Sequence, residues 1–514
     1  MLLPMYSTEQ SEGSQARPIE SFREKVLACW LGKAIGGTLG MPYEGHDGPH
    51  DLTFYQPVPT EMVANDDLDL QVLWACVLDE MGDQPKVDRH ILAKAWHERV
   101  DFPWGEYGVC KRNIAQGLKP PLSGSFDNWW HDGMGAAIRS EIWACLAAGD
   151  PDLAGRYAYE DACVDHAGEG IWAEVWLARL QALAFVETDR DRLLDTALIT
   201  LPIESKVRQA VNDTRLWWAQ NPDWRAVREQ ILQRYYDPNF THCVMNQAFT
   251  VLGWLAGEGD FGKTICIATN CGQDTDCTAA TVGSLLGILD PGCIPDRWIE
   301  PIGQTLVVDH RITNINPPAT IEGFTDLVID LRERMAGRVP DAETAEQDTS
   351  HLAYLVETGF ISFNGEHRFC DTDWMPFAEE PPPKMTAGSK KVYWPTQSST
   401  LTHDDFESEV LLMRIPFMLS ESRRVKVCFS ATTETRVWVD GEYAFGRDAG
   451  GRMMPSPHLA PINTYLNKDL ATGDHELFAA VKRPARGKSV TMSLELADAE
   501  SLLWLTGVLH RQSV

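Results

Sequence analysis

The chain has 514 residues, of which 44% are hydrophobic and 23% charged, and its formal net charge at pH 7 is −29. This length predicts two or more domains with ordinary globular cores. Because nucleic acids and anionic membranes are bound by clustered Lys and Arg, the acidic balance excludes them as expected partners.

Cysteine usage and the N-terminus bear on the compartment. The twelve cysteines are scattered and form no CxxC pair, which predicts free, mostly buried thiols in a reducing environment. Residues 1–18 predict a polar, flexible leader that lacks the pattern of a signal peptide. No run is long and apolar enough to span a bilayer. We therefore expect a cytoplasmic protein, and the sequence leaves its oligomeric state open.

The first predicted helix begins near Ser21, which forms a capping-box pattern with Glu24. It runs into a glycine-rich stretch, residues 32–45, that lacks the GK[ST] ending of a phosphate loop. We interpret these glycines as sites of close helix packing and of a sharp exit from the helix. That exit places Glu44 on a loop, where its carboxylate is either an acid or base for catalysis or an ordinary surface group.

Two acidic clusters each precede an apolar stretch with helical spacing. N-capping accounts for either cluster alone, since Asp is favoured at helix N-termini. Two clusters with one layout favour a shared site, in which about four carboxylates repel one another unless a cation lies between them. Oxygen ligands without His favour Mg²⁺ or Mn²⁺, leave Ca²⁺ as an alternative, and disfavour zinc. The clusters are Asn65-Asp66-Asp67-Leu68-Asp69 and Asp274-Thr275-Asp276-Cys277.

Two loops between predicted helices combine aromatic residues, glycines and carboxylates, at residues 104–108 and 129–135. Such loops either stack a sugar or a base or simply pack aromatic side chains beneath a turn. Asp165-His166 supplies either a titrating group or a satisfied structural pair. Helical patterns continue to about residue 335, so residues 19–336 are expected to form one all-α domain.

The sequence changes character after this helical part. Residues 337–350 are polar and acidic and predict a linker. Residues 351–514 contain spaced β-like runs, and the Asp440-Gly441 pair between β-forming residues predicts a hairpin. We expect a smaller all-β sandwich or jelly-roll domain with an accessory role, either structural or sugar-binding.

Residues 20–335 resemble the ADP-ribosylglycohydrolase family, which includes the dinitrogenase reductase activating glycohydrolases. The resemblance implies an ADP-ribosylglycohydrolase-like helical fold, a centre of two Mg²⁺ or Mn²⁺ ions, and hydrolysis at the anomeric carbon of a ribose. Four motifs carry it in the family's order: Gly36-Gly37-Thr38-Leu39-Gly40-Met41-Pro42-Tyr43-Glu44, Asn65-Asp66-Asp67, Gly133-Met134-Gly135-Ala136-Ala137-Ile138-Arg139 and Gly272-Gln273-Asp274-Thr275-Asp276-Cys277.

The family match and the loop patterns together give a set of expected site residues. The expected metal ligands are Asn65, Asp66, Asp67, Asp274, Asp276 and Cys277. The expected catalytic residues are Glu44, Asp67 and Asp276. The expected substrate-binding residues are Glu106, Tyr107, Gly133, Met134, Gly135 and His166.

Departures from the family pattern affect the expected substrate. Asn65 and Cys277 stand where Thr is usual, Gly37-Thr38 replaces a usual Asp, and Met134 replaces a usual Asn. The resemblance then implies a magnesium-dependent glycoside hydrolase acting on an ADP-ribosylated substrate or on a small-molecule riboside or related furanoside. Two alternatives remain, a non-catalytic protein that binds ADP-ribose, a nucleotide sugar or a carbohydrate, and a structural calcium site in an unrelated helical protein.

Overall fold

A computed structural model describes residues 19–340, 354–361, 390–394, 398–406, 409–448, 453–506 and 508. The predicted leader, residues 1–18, and the predicted linker from residue 341 onward lie outside these ranges. Within them, a helical N-terminal region is followed by a strand-rich region with two antiparallel sheets, as the sequence predicts.

The helical region contains sixteen α-helices among the described residues, joined by short loops and 3₁₀ turns. They are α1 Phe22–Gly40, α2 Asp66–Asp79, α3 Arg89–Arg99, α4 Gly105–Ala115, α5 Leu122–Ser125, α6 Ser140–Leu146, α7 Pro151–Asp165, α8 Glu169–Ala184, α9 Arg190–Leu198, α10 Lys206–Gln220, α11 Trp224–Tyr235, α12 Cys243–Gly257, α13 Phe261–Asn270, α14 Thr275–Leu289, α15 Asp296–Ile299 and α16 Ile321–Arg334. The 3₁₀ turns here are Met41–Tyr43, Ala137–Arg139 and Pro291–Cys293.

The predicted capping box at the start of α1 is wrong. Ser21 has a φ of 54° and makes no side-chain capping hydrogen bond. An N-cap side chain reaches the first-turn N–H groups from an extended backbone, and Ser21 lies in the left-handed region instead. The helix is held by its buried face rather than by a cap.

Glycines bring α1 and α14 into backbone contact. A Cβ on Gly32 would overlap the carbonyl of Gly283, and one on Gly36 would overlap that of Ala279. The spacing of four residues places both glycines on one face of α1. One turn further on, Gly40 lies against the backbone of Asp276. The glycine-rich stretch therefore serves close packing, as predicted, and it brings the loop of Glu44 to the start of α14.

Gly36→Ala should lower the free energy of unfolding by about 1–3 kcal/mol, because the added methyl group must separate two helices in backbone contact. Helix propensity alone would instead raise the free energy of unfolding by about 1 kcal/mol, because Ala is a better helix former than Gly. Urea unfolding measures the difference. Gly323→Ala in α16 is the control, since its added Cβ would not overlap a backbone. The nearest atom to that Cβ is the side-chain Cβ of Pro318, at 3.2 Å. A Gly36→Ala protein as stable as the wild type would contradict the packing argument.

The strand-rich region forms a six-stranded sheet in the order β2-β1-β4-β9-β6-β7 and a four-stranded sheet in the order β3-β10-β5-β8. Hydrophobic side chains from both sheets form one buried cluster, including Met413 of β4 and Val427 of β5. The strands are β1 Tyr354–Ile361, β2 Lys390–Trp394, β3 Ser398–Thr402, β4 Val410–Leu419, β5 Arg423–Ala431, β6 Thr435–Val439, β7 Glu442–Arg447, β8 Tyr465–Leu470, β9 Gly473–Lys482 and β10 Ser489–Asp498, with a 3₁₀ turn at His403–Asp405.

The predicted hairpin is confirmed. Strands β6 and β7 pair antiparallel across Asp440 and Gly441, whose φ values are 54° and 80°. Two consecutive residues with positive φ form the turn type that matches the twist of a two-residue hairpin. Gly meets this requirement without strain, and Asp tolerates it better than most residues.

The strand-rich region contacts the helical region beside α4. Trp504 is buried against Gly108, where a Cβ would overlap the indole ring. The indole N–H of Trp130 donates to the carbonyl of Pro455 at 3.0 Å. Gly108 and Trp130 belong to the two aromatic segments that the sequence singled out, so the two regions share an interface there. The first segment was expected to be a loop, but residues 105–108 form the start of α4.

Glu495 of β10 gives this interface a pH dependence. Burial raises the pKa of its carboxyl to about 8, the nearby charge of Asp127 adds to the rise, and Ser493 and Arg112 oppose it. The folded state thus holds this proton more tightly than the unfolded chain, for which the reference value is 4.5. Its stabilising contribution is complete below that value and is lost as pH rises through about 8.

Glu495→Gln should therefore raise the free energy of unfolding by about 1–3 kcal/mol at the alkaline end, because a neutral amide replaces a buried carboxylate without a full set of partners. Its stability should also change less with pH than that of the wild type. Thermal unfolding across the pH range measures both effects, with the exposed Glu500→Gln as control. A wild-type stability that rises between pH 4.5 and 8 would contradict the assignment.

The eleven cysteines in the described parts of the chain are all free, and all but Cys293 are buried. None of the described helices combines the length and the hydrophobicity needed to cross a membrane.

Candidate metal centre and cleft

The two acidic helix starts meet in the structure. Asn65 is the N-cap of α2, and its Oδ1 accepts a hydrogen bond from the N–H of Asp67 at 2.8 Å. Its Nδ2 donates to Oδ2 of Asp276, in the first turn of α14, at 3.0 Å. Asn65 thus links two helix N-termini that lie more than two hundred residues apart in the sequence.

Two groups of ligand-type atoms lie at this junction. One oxygen each of Asp67 and Asp276 and the Sγ of Cys277 lie within 4.8 Å of one another. One oxygen each of Glu44, Asp274 and Asp276 forms a second group with the same limit. Asp276 belongs to both groups. All of these residues are buried except Glu44, whose side chain is exposed at the rim.

The carboxylates destabilise one another's charge. Burial and the charge of Asp67 raise the pKa of both Asp66 and Asp276. Burial and the charge of Asp276 raise the pKa of Asp274, whereas for Glu44 the charge of Asp276 is the larger cause and desolvation the smaller. Such a group of acids is stable in its ionised form only beside positive charge.

One positive charge is built into the fold. Lys33 of α1 is wholly buried, and its Nζ lies 3.0 Å from Oδ1 of Asp67 and 3.2 Å from Oε1 of Glu141. Burial opposes this charge, but the two carboxylates raise the pKa of Lys33 above its ordinary value. Glu141 also accepts hydrogen bonds from Ser284 at 2.8 Å and Gln71 at 3.0 Å. Lys33 was not among the residues expected in the site, although a single charged residue within the apolar stretch 26–40 was a usable signal.

The remaining donor atoms fit a hard divalent cation. Asp67 Oδ2, Asp274 Oδ2 and Asp276 Oδ1 are buried and have no hydrogen-bond partner among the described residues. Carboxylate oxygens are the ligands that Mg²⁺, Mn²⁺ and Ca²⁺ prefer. Burial and the charge of Asp274 raise the pKa of the Cys277 thiol, so this residue offers a neutral sulfur, a weak ligand for such ions.

Asp66 and Asp69 have different surroundings from the buried junction. Asp66 is half-buried, and its Oδ2 accepts a hydrogen bond from the Tyr107 hydroxyl of α4 at 2.9 Å. Asp69 is fully buried and accepts from the backbone N–H of Asp309 at 2.9 Å. Asp66 therefore connects the acidic cluster to Tyr107 of α4, while Asp69 connects α2 to the loop that contains Asp309.

The loop from Gly133 to Gly135 packs against Glu106. A Cβ on Gly135 would overlap Glu106 Oε1 and crowd the Tyr107 ring, so only glycine allows this approach. Nε2 of His166 lies 3.4 Å from the same Glu106 oxygen, and its Nδ1 lies 2.9 Å from Asp165 Oδ1. The predicted substrate-binding residues Glu106, Tyr107, Gly133 and Gly135 are thus brought together beside Asp66.

Met134 and His166, also predicted to bind substrate, are fully buried behind this wall. Met134 Sδ accepts from Gln247 Nε2 at 3.5 Å, within the helical core. His166 is enclosed by the contacts just described. Glu106, Tyr107, Gly133 and Gly135 are also buried, and nothing in the sequence pattern distinguishes these wall residues from the ones that lie behind them.

A family model described as ADP-ribosylglycohydrolase matches residues 18–337, more than half of the chain. A solved structure described as "ADP-ribosylglycohydrolase-related protein complex" is 19% identical, and the alignment covers 61% of this chain and 98% of that one with a TM-score of 0.43. No curated protein matches the chain.

Proposed function

The chain belongs to the ADP-ribosylglycohydrolase family, a family of glycohydrolases, and from this premise we propose that it is a metal-dependent hydrolase of a furanosyl glycosidic bond. The proposed substrate carries a ribose or a related furanose, either as a small molecule or as an ADP-ribosyl group. The observation that carries the proposal is the meeting of two acidic helix starts whose buried carboxylate oxygens lack partners among the described residues.

In this proposal, Asp66, Asp67, Asp274 and Asp276 hold one or two Mg²⁺ or Mn²⁺ ions, with Cys277 as a weak additional ligand. Asn65 is assigned a positioning role, since its Oδ1 already accepts from Asp67 and its amide faces Asp276. A divalent cation at such a site supplies Lewis-acid binding of vicinal hydroxyls and activation of water.

The chain's own residues provide the remaining functions. Glu44 is the exposed carboxylate next to the buried ones, which suits it to orient the sugar or to transfer a proton at the glycosidic oxygen. Neighbouring carboxylates favour the positive charge that develops at the anomeric carbon. Tyr107 fixes Asp66, and Glu106 with the glycines at 133 and 135 forms the adjacent wall. Met134 and His166 support that wall from the core.

Glu44→Gln should lower kcat by about 10²-fold without lowering the stability of the fold, because it removes an acid–base group beside the site and also one of the charges that repel one another there. The assay screens ADP-ribosyl-arginine, ADP-ribosyl-serine, nucleosides and synthetic furanosides, each with Mg²⁺ and with chelator. Glu61→Gln, an exposed carboxylate outside both ligand groups, is the matched control.

The same screen separates catalysis from binding. Turnover in Mg²⁺ that is lost with chelator supports the proposal. Tight binding of ADP-ribose without turnover of any substrate would instead support a non-catalytic binding protein, the reading that the weak ligand Cys277 favours. Equal turnover with and without chelator would refute the metal-dependent mechanism.

A further inference from the structure

A cavity of about 580 Å³ lies beside the loop that carries Gly133. This volume falls within the range of small-molecule sites. The cavity is open on one side and combines aromatic, amide and carboxylate side chains. The residues of its wall that matter here are Phe126, Asn128, Trp129, Asp132, Asp237 and Asn239.

A chain of contacts through one short loop links the cavity to the candidate metal centre. Thr241 Oγ1 donates to Asn239 Oδ1, in the cavity wall, at 2.8 Å. A Cβ on Gly133 would lie 3.0 Å from that Thr241 oxygen and 3.1 Å from Glu106 Oε1. Glu106 immediately precedes Tyr107, which holds Asp66. The Gly133 loop and Glu106 thus connect the cavity wall to the residues beside Asp66.

The cavity has an unsatisfied polar group of its own. Asn239 is 2% exposed, and its Nδ2 has no acceptor among the described residues. A buried amide donor without a partner destabilises the folded state, so a ligand acceptor at this point would relieve that loss. Sugar hydroxyls both accept and donate hydrogen bonds. A sugar would therefore accept from the Asn239 amide and donate to the neighbouring carboxylates.

Trp129 provides an aromatic surface that both parts of the chain hold in place. It is half-buried and packs edge-on against Trp130, with ring centroids 4.8 Å apart at 82°. Trp130 in turn donates to Pro455 and packs against Phe240 and Met454. Aromatic rings held in this way offer a flat apolar face beside polar groups, which is the arrangement that binds sugar rings.

The charges of the cavity disfavour phosphate. Its wall, all of which the structure describes, contains no Lys or Arg. Asp127 Oδ2 lies 3.4 Å from Nη2 of Arg112. The carboxylate oxygens of Asp132 lie 3.7 Å from His131 Nδ1 and 3.6 Å from His242 Nε2. Asp237 accepts only from the backbone N–H of Asn239 among the hydrogen bonds described, at 2.8 Å. A diphosphate here would face carboxylates, and the neighbouring guanidinium of Arg112 is already paired with Asp127.

We propose that this cavity is a subsite for an uncharged sugar unit joined to the furanose at the metal centre. The inference rests on the proposed function for the position of the furanose, and it narrows the substrate class to neutral furanose-containing glycosides. It also gives the strand-rich region a role, since that region anchors the Trp130 that supports the Trp129 surface.

Calorimetric titration of the full-length protein in chelator tests the subsite, because binding is then measured with the proposed hydrolysis switched off. The probes are three neutral disaccharides, arabinofuranobiose, sucrose and ribosyl-ribose, and the charged ligand ADP-ribose. At least one neutral disaccharide should bind more tightly than ADP-ribose. Trp129→Ala should weaken that binding at least tenfold, whereas Trp224→Ala, a half-buried tryptophan outside the cavity, should change it less than twofold.

A second variant guards against misfolding of Trp129→Ala. Asp237→Arg, on the loop before α12, should improve ADP-ribose binding at least fivefold by adding the missing cation. Failure of all three disaccharides to bind, binding that Trp129→Ala leaves intact, or ADP-ribose preferred by the wild type would each overturn the subsite. Trp129-dependent binding, with no hydrolysis in Mg²⁺ of the disaccharides or of any substrate in the screen described above, would refute the proposed function and leave the subsite standing.

Discussion

Asp276→Asn should lower turnover by roughly 10³-fold and, in the absence of divalent cation, should raise rather than lower the stability of the protein. Asp276 is the carboxylate that both ligand groups share, so its loss affects every ion position in the proposed centre. The amide keeps an oxygen that accepts from Asn65, as Asp276 Oδ2 does at 3.0 Å. It removes one of the charges that raise the pKa of Glu44 and Asp274, and so relieves repulsion when no cation is bound.

Two measurements check this prediction, steady-state kinetics in Mg²⁺ and thermal unfolding with and without the cation. Mg²⁺ should raise the midpoint of the wild type by mass action and raise that of Asp276→Asn much less. Asp296→Asn, an exposed first-turn carboxylate of α15, is the control and should leave all three values unchanged. Wild-type turnover in a pure Asp276→Asn preparation would remove Asp276 from the mechanism.

The parts of the fold that local pattern specifies were predictable from the sequence. Helical spacing gave the helical region, and Asp440-Gly441 gave the hairpin because few residue pairs tolerate two positive φ values. The meeting of the two acidic helix starts was also predictable, since like charges placed together need a shared cation. In each case the physical reason lies within a few neighbouring residues or in one strong repulsion.

The features that depend on tertiary contacts were not predictable. Lys33 sits in a glycine-rich stretch, and only the fold shows that it meets Asp67 and Glu141. Asp69 belongs to the same acidic cluster as Asp67, but it lies two positions further along α2 and therefore faces a different neighbour, Asp309. Met134 and His166 lie in or beside predicted site segments and are buried behind them. Ser21 carries the capping pattern but has the wrong backbone conformation. The spacing of residues in the sequence shows which face of a helix a side chain occupies, but not how deeply that side chain is buried in the fold.

Lys33→Met should lower the free energy of unfolding by roughly 3–5 kcal/mol in the absence of divalent cation, the second large effect expected here. The substitution keeps the length and apolar stem of the side chain and removes only its charge. Asp67 and Glu141 then remain buried without their common counter-ion, and breaking a buried ion pair from one side costs about this much. Urea unfolding in chelator measures the loss.

Two further variants separate charge pairing from simple packing. Lys33→Met combined with Glu141→Gln should be more stable than the sum of the two single changes implies, because the second substitution neutralises one stranded carboxylate. Lys94→Met, on the exposed surface of α3, should change stability by no more than about 0.5 kcal/mol. Added Mg²⁺ should recover part of the loss in Lys33→Met, since a bound cation offsets the charge of Asp67 in place of the ammonium. Strict additivity of the two substitutions, or a loss that Mg²⁺ leaves unchanged, would mean that Lys33 fills space rather than balancing the acidic cluster.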